Sequence, residues 1–143
     1  MKFSKILFAF LFIMAISCNH ELPKIRFGTD LCDFCKMTAM DRKFGAMLIN
    51  GKGKALRFDS EECMLEYLKT DDTFKPDQFL VIDYQNPGVL LDAKKAFYLH
   101  GGGVNSPMGG HLAAFSTMAS VETVQQQLGG EILLWSAVNV IHF

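Results

Sequence analysis

Apolar and polar positions roughly alternate over residues 43–49 and again over 54–58, on either side of Asn50-Gly51-Lys52-Gly53. Asparagine and glycine accept positive φ at little cost, so the pattern predicts a hairpin closed at 50–53. After Phe58 the period changes. Met64, Leu65 and Leu68 recur at helical spacing behind Asp59 or Ser60 as cap. Glu61 and Glu62 fall in the first turn, where the helix dipole favours acidic groups. The polar run at 71–78 ends that helix, and FLVIDY at 79–84 reads as a buried strand.

The second half repeats this order. Residues 95–100 and 111–115 read as strands, and Ser116 or Ser120 caps a helix reaching Leu128. Gly129 and Gly130 end that helix, and 131–135 reads as a final strand. Phe58-Asp59-Ser60 and Phe115-Ser116-Thr117 stand in equivalent places before the two helices. The expected fold is α+β: two small tandem strand-strand-helix-strand units packed together, over 30–86 and 87–143. The units differ in their hairpins. The second is closed by 101–110, ten residues with five glycines, where two to five residues are usual. Ordering such a loop costs entropy, and long surface loops often serve binding. Met108 sits near its tip, and His100 and His111 flank it.

The N-terminus has a different pattern. Lys2 and Lys5 precede Ile6 to Ile16, an unbroken apolar run of eleven residues. A bilayer span takes roughly 20 residues, so the run fits a secretory signal instead. Ser17 stands directly before Cys18, as in a bacterial lipobox. The expectation is a signal peptide over 1–17, a lipidated Cys18, and a tether over 18–29 carrying Pro23 and mixed charges. Ordinary signal cleavage near Ser17 is the alternative. A lipid-anchored protein facing the periplasm follows, with Asn19 favouring the outer membrane under the usual bacterial sorting rule. The net charge of −1 gives no nucleic-acid footprint. The remaining residues suit one compact domain or two very small ones.

Three cysteines remain in the body: Cys32, Cys35 and Cys63. A disulfide framework prefers an even number, so a thiol is left over or the cysteines are ligands. Cys32-Asp33-Phe34-Cys35-Lys36-Met37 permits a small stabilising disulfide, half a zinc site, a redox pair or a soft-metal site. Zinc prefers four Cys or His ligands, and no second Cys-x-x-Cys accompanies this one. Cys63 is a possible third ligand but falls inside the first expected helix. A thioredoxin-like pair needs a helix N-terminus after a strand, and this motif follows a tether. In extended chain Cys35 and Met37 point to the same side, and thiolate with thioether selects Cu(I). Met108, between Pro107 and Gly109, is a poor candidate for core packing. His100 and His111 are possible imidazole ligands or ordinary hydrogen-bonded histidines. His100-Gly101-Gly102-Gly103 resembles an esterase loop, but no Gly-x-Ser-x-Gly elbow or phosphate-binding loop is present.

Taken in order, CDFCKM, KFGAMLI, RFDSEECMLEYL, VIDY, LDAKKAFYL, SPMGGHLAAF and LGGEILLW resemble the NosL family, copper-binding lipoproteins that accompany nitrous oxide reductase. The resemblance runs from Cys32 to Trp135. It implies lipid anchoring, two units like those of an organomercurial lyase domain, and a non-enzymatic Cu(I) chaperone. Such a protein delivers copper to an exported apo-enzyme, nitrous oxide reductase foremost, with an ABC-type transporter complex nearby. Carried over by residue, Cys35 and Met37 match the family's cysteine-x-methionine, Met108 its PMG loop methionine, and Cys32 the first cysteine of members with two. His111 is a weaker metal candidate. Lys36 departs from a common glycine. Relatives without a reductase partner leave the client open. The alternatives are a periplasmic thiol oxidoreductase and a structural or adaptor lipoprotein with an oxidised CxxC.

Overall fold

The structure, a computed structural model, describes residues 22–143. The expected signal peptide, Cys18 and the first part of the tether lie outside the described residues. Among the described residues, seven strands and three helices follow in the order β1 (Ala46–Ile49), β2 (Ala55–Phe58), α1 (Glu61–Thr70), β3 (Gln78–Ile82), β4 (Leu90–Asp92), β5 (Phe97–His100), β6 (Leu112–Phe115), α2 (Met118–Leu128), β7 (Glu131–Leu134) and α3 (Trp135–Val138). They build two antiparallel sheets, ordered β2-β1-β3-β4 and β6-β5-β7. The expected α+β class and repeat are both present. In each unit the first strand is central, and the helix carries the chain from one flanking strand to the other.

The alternation read along the first hairpin has a packing cause. Ala46 and Leu48 face a core shared with Phe58, Met64, Leu65, Tyr98 and Leu112. Met47 and Ile49 face the opposite side, with Leu80 and Ile25. Side chains on a strand alternate between faces, and a central strand with both faces covered is apolar throughout. Helix α1 lies between the sheets, since its buried side joins apolar groups from both. The second sheet's other face packs Leu99, Ala113 and Phe115 against Val121 and Val124 of α2, with Phe44. Asp83 bridges Ala114 in parallel, and the Tyr84 N–H donates to the Ala114 carbonyl at 2.8 Å, joining the two sheets.

Both caps fall at the equivalent positions. Ser60 accepts from the Cys63 N–H. Thr117, rather than Ser116 or Ser120, caps α2, and Ser120 is its reciprocal partner in a capping box.

Three expectations change. Leu90–Asp92 forms an edge strand on the first sheet, so that sheet runs past the 86/87 boundary. Residues 22–29 are more than a tether: Ile25 packs on the sheet's outer face, and Arg26 pairs with the buried Asp30 at 2.8 Å. Gly45, at φ 133, leaves room there for Ile25 and Phe27. Trp135 starts a helix instead of ending a strand, with its ring edge-on to Phe79. Among the described residues no helix is long and apolar enough to cross a membrane.

Candidate metal centre

The CxxC segment is a tight loop closed by its own backbone. Leu31 bridges Thr38. The Cys32 N–H donates to the Met37 carbonyl at 2.8 Å, and the Lys36 N–H to the Cys32 carbonyl at 3.0 Å. Lys36 adopts φ 64, the left-handed region that favours glycine. The unusual lysine therefore occupies a position where a glycine would be unstrained.

Asp33 fastens this loop to β2, the free edge of the first sheet. Its N–H donates to the Arg57 carbonyl at 2.7 Å, and its Oδ2 accepts the Arg57 N–H at 2.7 Å. Asp30 adds an ion pair with Arg57 at 3.3 Å. Pairing Asp33 with Arg57 sets the loop beside Asp59, two residues on, and Cys63 in the first turn of α1. The Sγ atoms of Cys32, Cys35 and Cys63 and a carboxylate oxygen of Asp59 all lie within 4.8 Å of one another. Metal–sulfur bonds of about 2.3 Å put two thiolates on one ion at a comparable separation. Cys32, Asp59 and Cys63 are buried, Cys35 is partly so, and all three cysteines are free thiols. Asp59 Oδ1 is buried with no hydrogen-bond partner, as suits an oxygen facing a cation.

The thiols share protons unequally. The Cys63 S–H donates to Cys32, and N–H groups of Asp59, Cys35 and Phe34 also face that sulfur. Against the opposing effect of burial, they pull the Cys32 pKa down to about 6. Burial pushes Cys35 up, followed by the charge of Cys32 and Asp59 beside it, although the Met37 N–H opposes this. Cys63 is pushed far up because it donates to Cys32, is desolvated and faces Asp59. Cys32 is thus the most acidic of the three, and a soft cation would displace the protons that Cys35 and Cys63 hold more tightly.

Met108 stands beside the group. With Cys63, Phe34, Glu62, Glu66 and Phe143 it lines a cavity of about 250 Å³. The loop carrying it is pinned at its base by the Gly101 N–H to the His111 carbonyl and the Gly103 N–H to the Leu128 carbonyl, each at 2.8 Å. Gly102 is obligatory, because a Cβ there would lie 2.3 Å from the Leu128 oxygen. A cleft of about 600 Å³ lies away from the thiols, beside Lys52, Tyr67 and Lys75.

The structure brings Cys32 and Cys35 together and places Met108 on a cavity that Cys63 also lines. It does not support the geometric argument for Met37. Side chains two residues apart share a side only in extended chain, whereas the loop turns through Asp33 to Cys35 and Lys36 is left-handed. Met37 is 49% exposed and turns its backbone N–H toward Cys35. His111 lies outside the group of four. It sits at φ 55, and its ring Nδ1, necessarily the protonated nitrogen, donates to the Val104 carbonyl at 2.6 Å. His100 stacks edge-on against Phe143. Sequence reasoning missed Asp59 and undervalued Cys63. The odd cysteine count pointed to Cys63; Asp59 resembled an ordinary cap residue.

Three thiols and a carboxylate gathered between a sheet edge and a helix, on a two-unit α+β scaffold, define a candidate soft-metal-binding protein. A family model described as NosL matches residues 27–140, and the chain belongs to the NosL family. The fold is similar to that of the copper chaperone NosL from Shewanella denitrificans. The TM-score is 0.68 and the identity 20%, with 84% of this chain and 94% of that one covered. No curated protein sequence matches the chain.

Proposed function

We propose that this protein is a non-enzymatic Cu(I) carrier. The carrying observation is the convergence of Cys32, Cys35 and Cys63 with Asp59 within 4.8 Å, a soft donor set of the kind that favours Cu(I). Family membership and the likeness to a copper chaperone support the same cargo. Cys32 is the thiolate on which the ion first lands. Cys35 and Cys63 add sulfur as their protons leave, and Met108 supplies a thioether from the cavity it shares with Cys63. Met37 is added on the family resemblance alone, and His111 is a weaker candidate donor. A partner's donor enters as one of these leaves, an exchange that needs no general acid or base.

The client is an exported apo copper enzyme, with nitrous oxide reductase foremost and an ABC-type transporter complex nearby. The protein is held by lipid on Cys18 and faces the periplasm, at the outer membrane in preference to the inner. Support for this placement comes from residues 6–18 and the family resemblance.

Zinc is the second reading, because three thiolates and one carboxylate complete four ligands for that ion. Anaerobic titration of the reduced chain, with Cu(I) and Zn(II) in competition, tests both. One Cu(I) per chain, lost in Cys32→Ser/Cys35→Ser, is expected. Retention of Zn(II) against Cu(I) would reverse the assignment. Insulin reduction at a thioredoxin-like rate would favour an oxidoreductase, a role for which the CxxC lacks the usual helix N-terminus. Deletion of the gene in a host making a secreted copper enzyme should leave that enzyme copper-deficient.

A further inference from the structure

We propose that Glu62 is a positioning residue that latches the Met108 loop onto the helix carrying Cys63. The proposal rests on the Cu(I)-carrier reading and deepens it. Glu62 is only 1% exposed and reaches from the first unit into the second. Its Oε1 accepts the Ser106 hydroxyl and the Leu112 N–H, the latter at 3.2 Å. The Ser106 Oγ in turn accepts the His111 N–H at 2.9 Å, and the Ser106 carbonyl accepts the Gly109 N–H at 3.0 Å. One carboxylate oxygen thus holds both sides of Met108.

The neighbouring residues fit this role. Glu62 and Cys63 are adjacent in the first turn of α1, and both line the cavity that Met108 overlooks. Gly110 lets the loop close on the carboxylate, since a Cβ there would lie 2.6 Å from Glu62 Cγ. The second oxygen, Oε2, is buried without a partner. Fold stability alone would favour an apolar residue here, because an unsatisfied buried oxygen carries a desolvation cost. Retaining the carboxylate is understandable if its bonds hold a donor in place. Glu62 is also the contact through which the sulfurs of the two units act as one site.

The test is the release rate of Cu(I) from the loaded chain to an excess of chromophoric chelator. Outer groups that orient metal ligands typically change affinity by about 10–100-fold. Met108→Ala and Glu62→Ala are each expected to speed release by about tenfold, and the double variant by no more than either alone, because both remove the same held thioether. Glu62→Gln, which keeps the Oε1 acceptor, should release near the wild-type rate. Ser106→Ala cuts the latch from the loop side and should match Glu62→Ala if the latter folds poorly. Multiplying effects in the double variant, or an unchanged rate in both latch variants, would overturn the proposal. Amide hydrogen exchange of 104–111 in the metal-free chain separates the two readings. Faster exchange in Ser106→Ala with no Cu(I) binding by wild type would leave the latch and remove its cargo. Unchanged exchange would remove the latch whatever the metal.

Discussion

Cys63, in the first turn of α1, brings its Sγ within 4.8 Å of the Cys32 Sγ in the CxxC loop. The thiol that sequence spacing left unpaired is thus the neighbour that most lowers the pKa of the first cysteine. Cys63→Ser should therefore weaken Cu(I) binding more than replacement of a lone, peripheral cysteine would. A loss of about tenfold or more in anaerobic chelator competition is expected; wild-type affinity would return Cys63 to the core.

The unequal proton sharing gives a pH dependence with a definite sign. Cys32 is depressed to about 6, so its thiolate is present above that pH and lost as pH falls through it. Ultraviolet thiolate absorbance should show one early titration step, absent in Cys32→Ser. Cys35 and Cys63 are raised and hold protons that the metal must displace. Cu(I) affinity should climb with pH, by about tenfold per unit for each proton released. A flat profile from pH 6 to 9 would contradict metal entry through these thiols.

Met108 and Met118 are a matched pair, 40% and 42% exposed, on different elements. Replacing Met108 by Ala should lower Cu(I) affinity, whereas Met118→Ala should not. Equal effects would mean that Met108 is an ordinary surface side chain.

The strain at Lys36 is removable. An L-residue in the left-handed region costs about 1–2 kcal/mol, and glycine avoids it at an entropic cost in the unfolded chain. Lys36→Gly should raise stability by about 0.5–1 kcal/mol in chemical denaturation, despite losing the bond from the ammonium to the Asp33 carbonyl. A loss of stability would mean that this bond outweighs the backbone strain.

Gly110 tolerates no side chain without movement. An added Cβ would come 2.5 Å from Phe143 Cδ1 and 2.6 Å from Glu62 Cγ. Gly110→Ala should displace the loop and reproduce the fast Cu(I) release of Met108→Ala. Wild-type release kinetics would show that the loop closes without this contact.

What the sequence by itself determined was local. The Asn50–Gly53 turn, the two helices and their equivalent starts, and the repeated strand order follow from periodicity and turn chemistry within short windows. The motif-bearing Cys32, Cys35 and Met108 were legible because their spacing and neighbours are unusual. The tertiary structure decided what depends on long-range pairing. Leu90–Asp92 is too short for a periodic signal and becomes a strand only because β3 offers it an edge. Ile25 becomes part of the body only because the first sheet leaves an apolar face uncovered. Asp59 and Cys63 join the CxxC only because Asp33 bonds to Arg57 across the sheet edge, turning a distant helix start toward the loop. Sequence shows which side chains can bind a soft metal. Backbone pairing between remote segments decides which of them can reach the same ion.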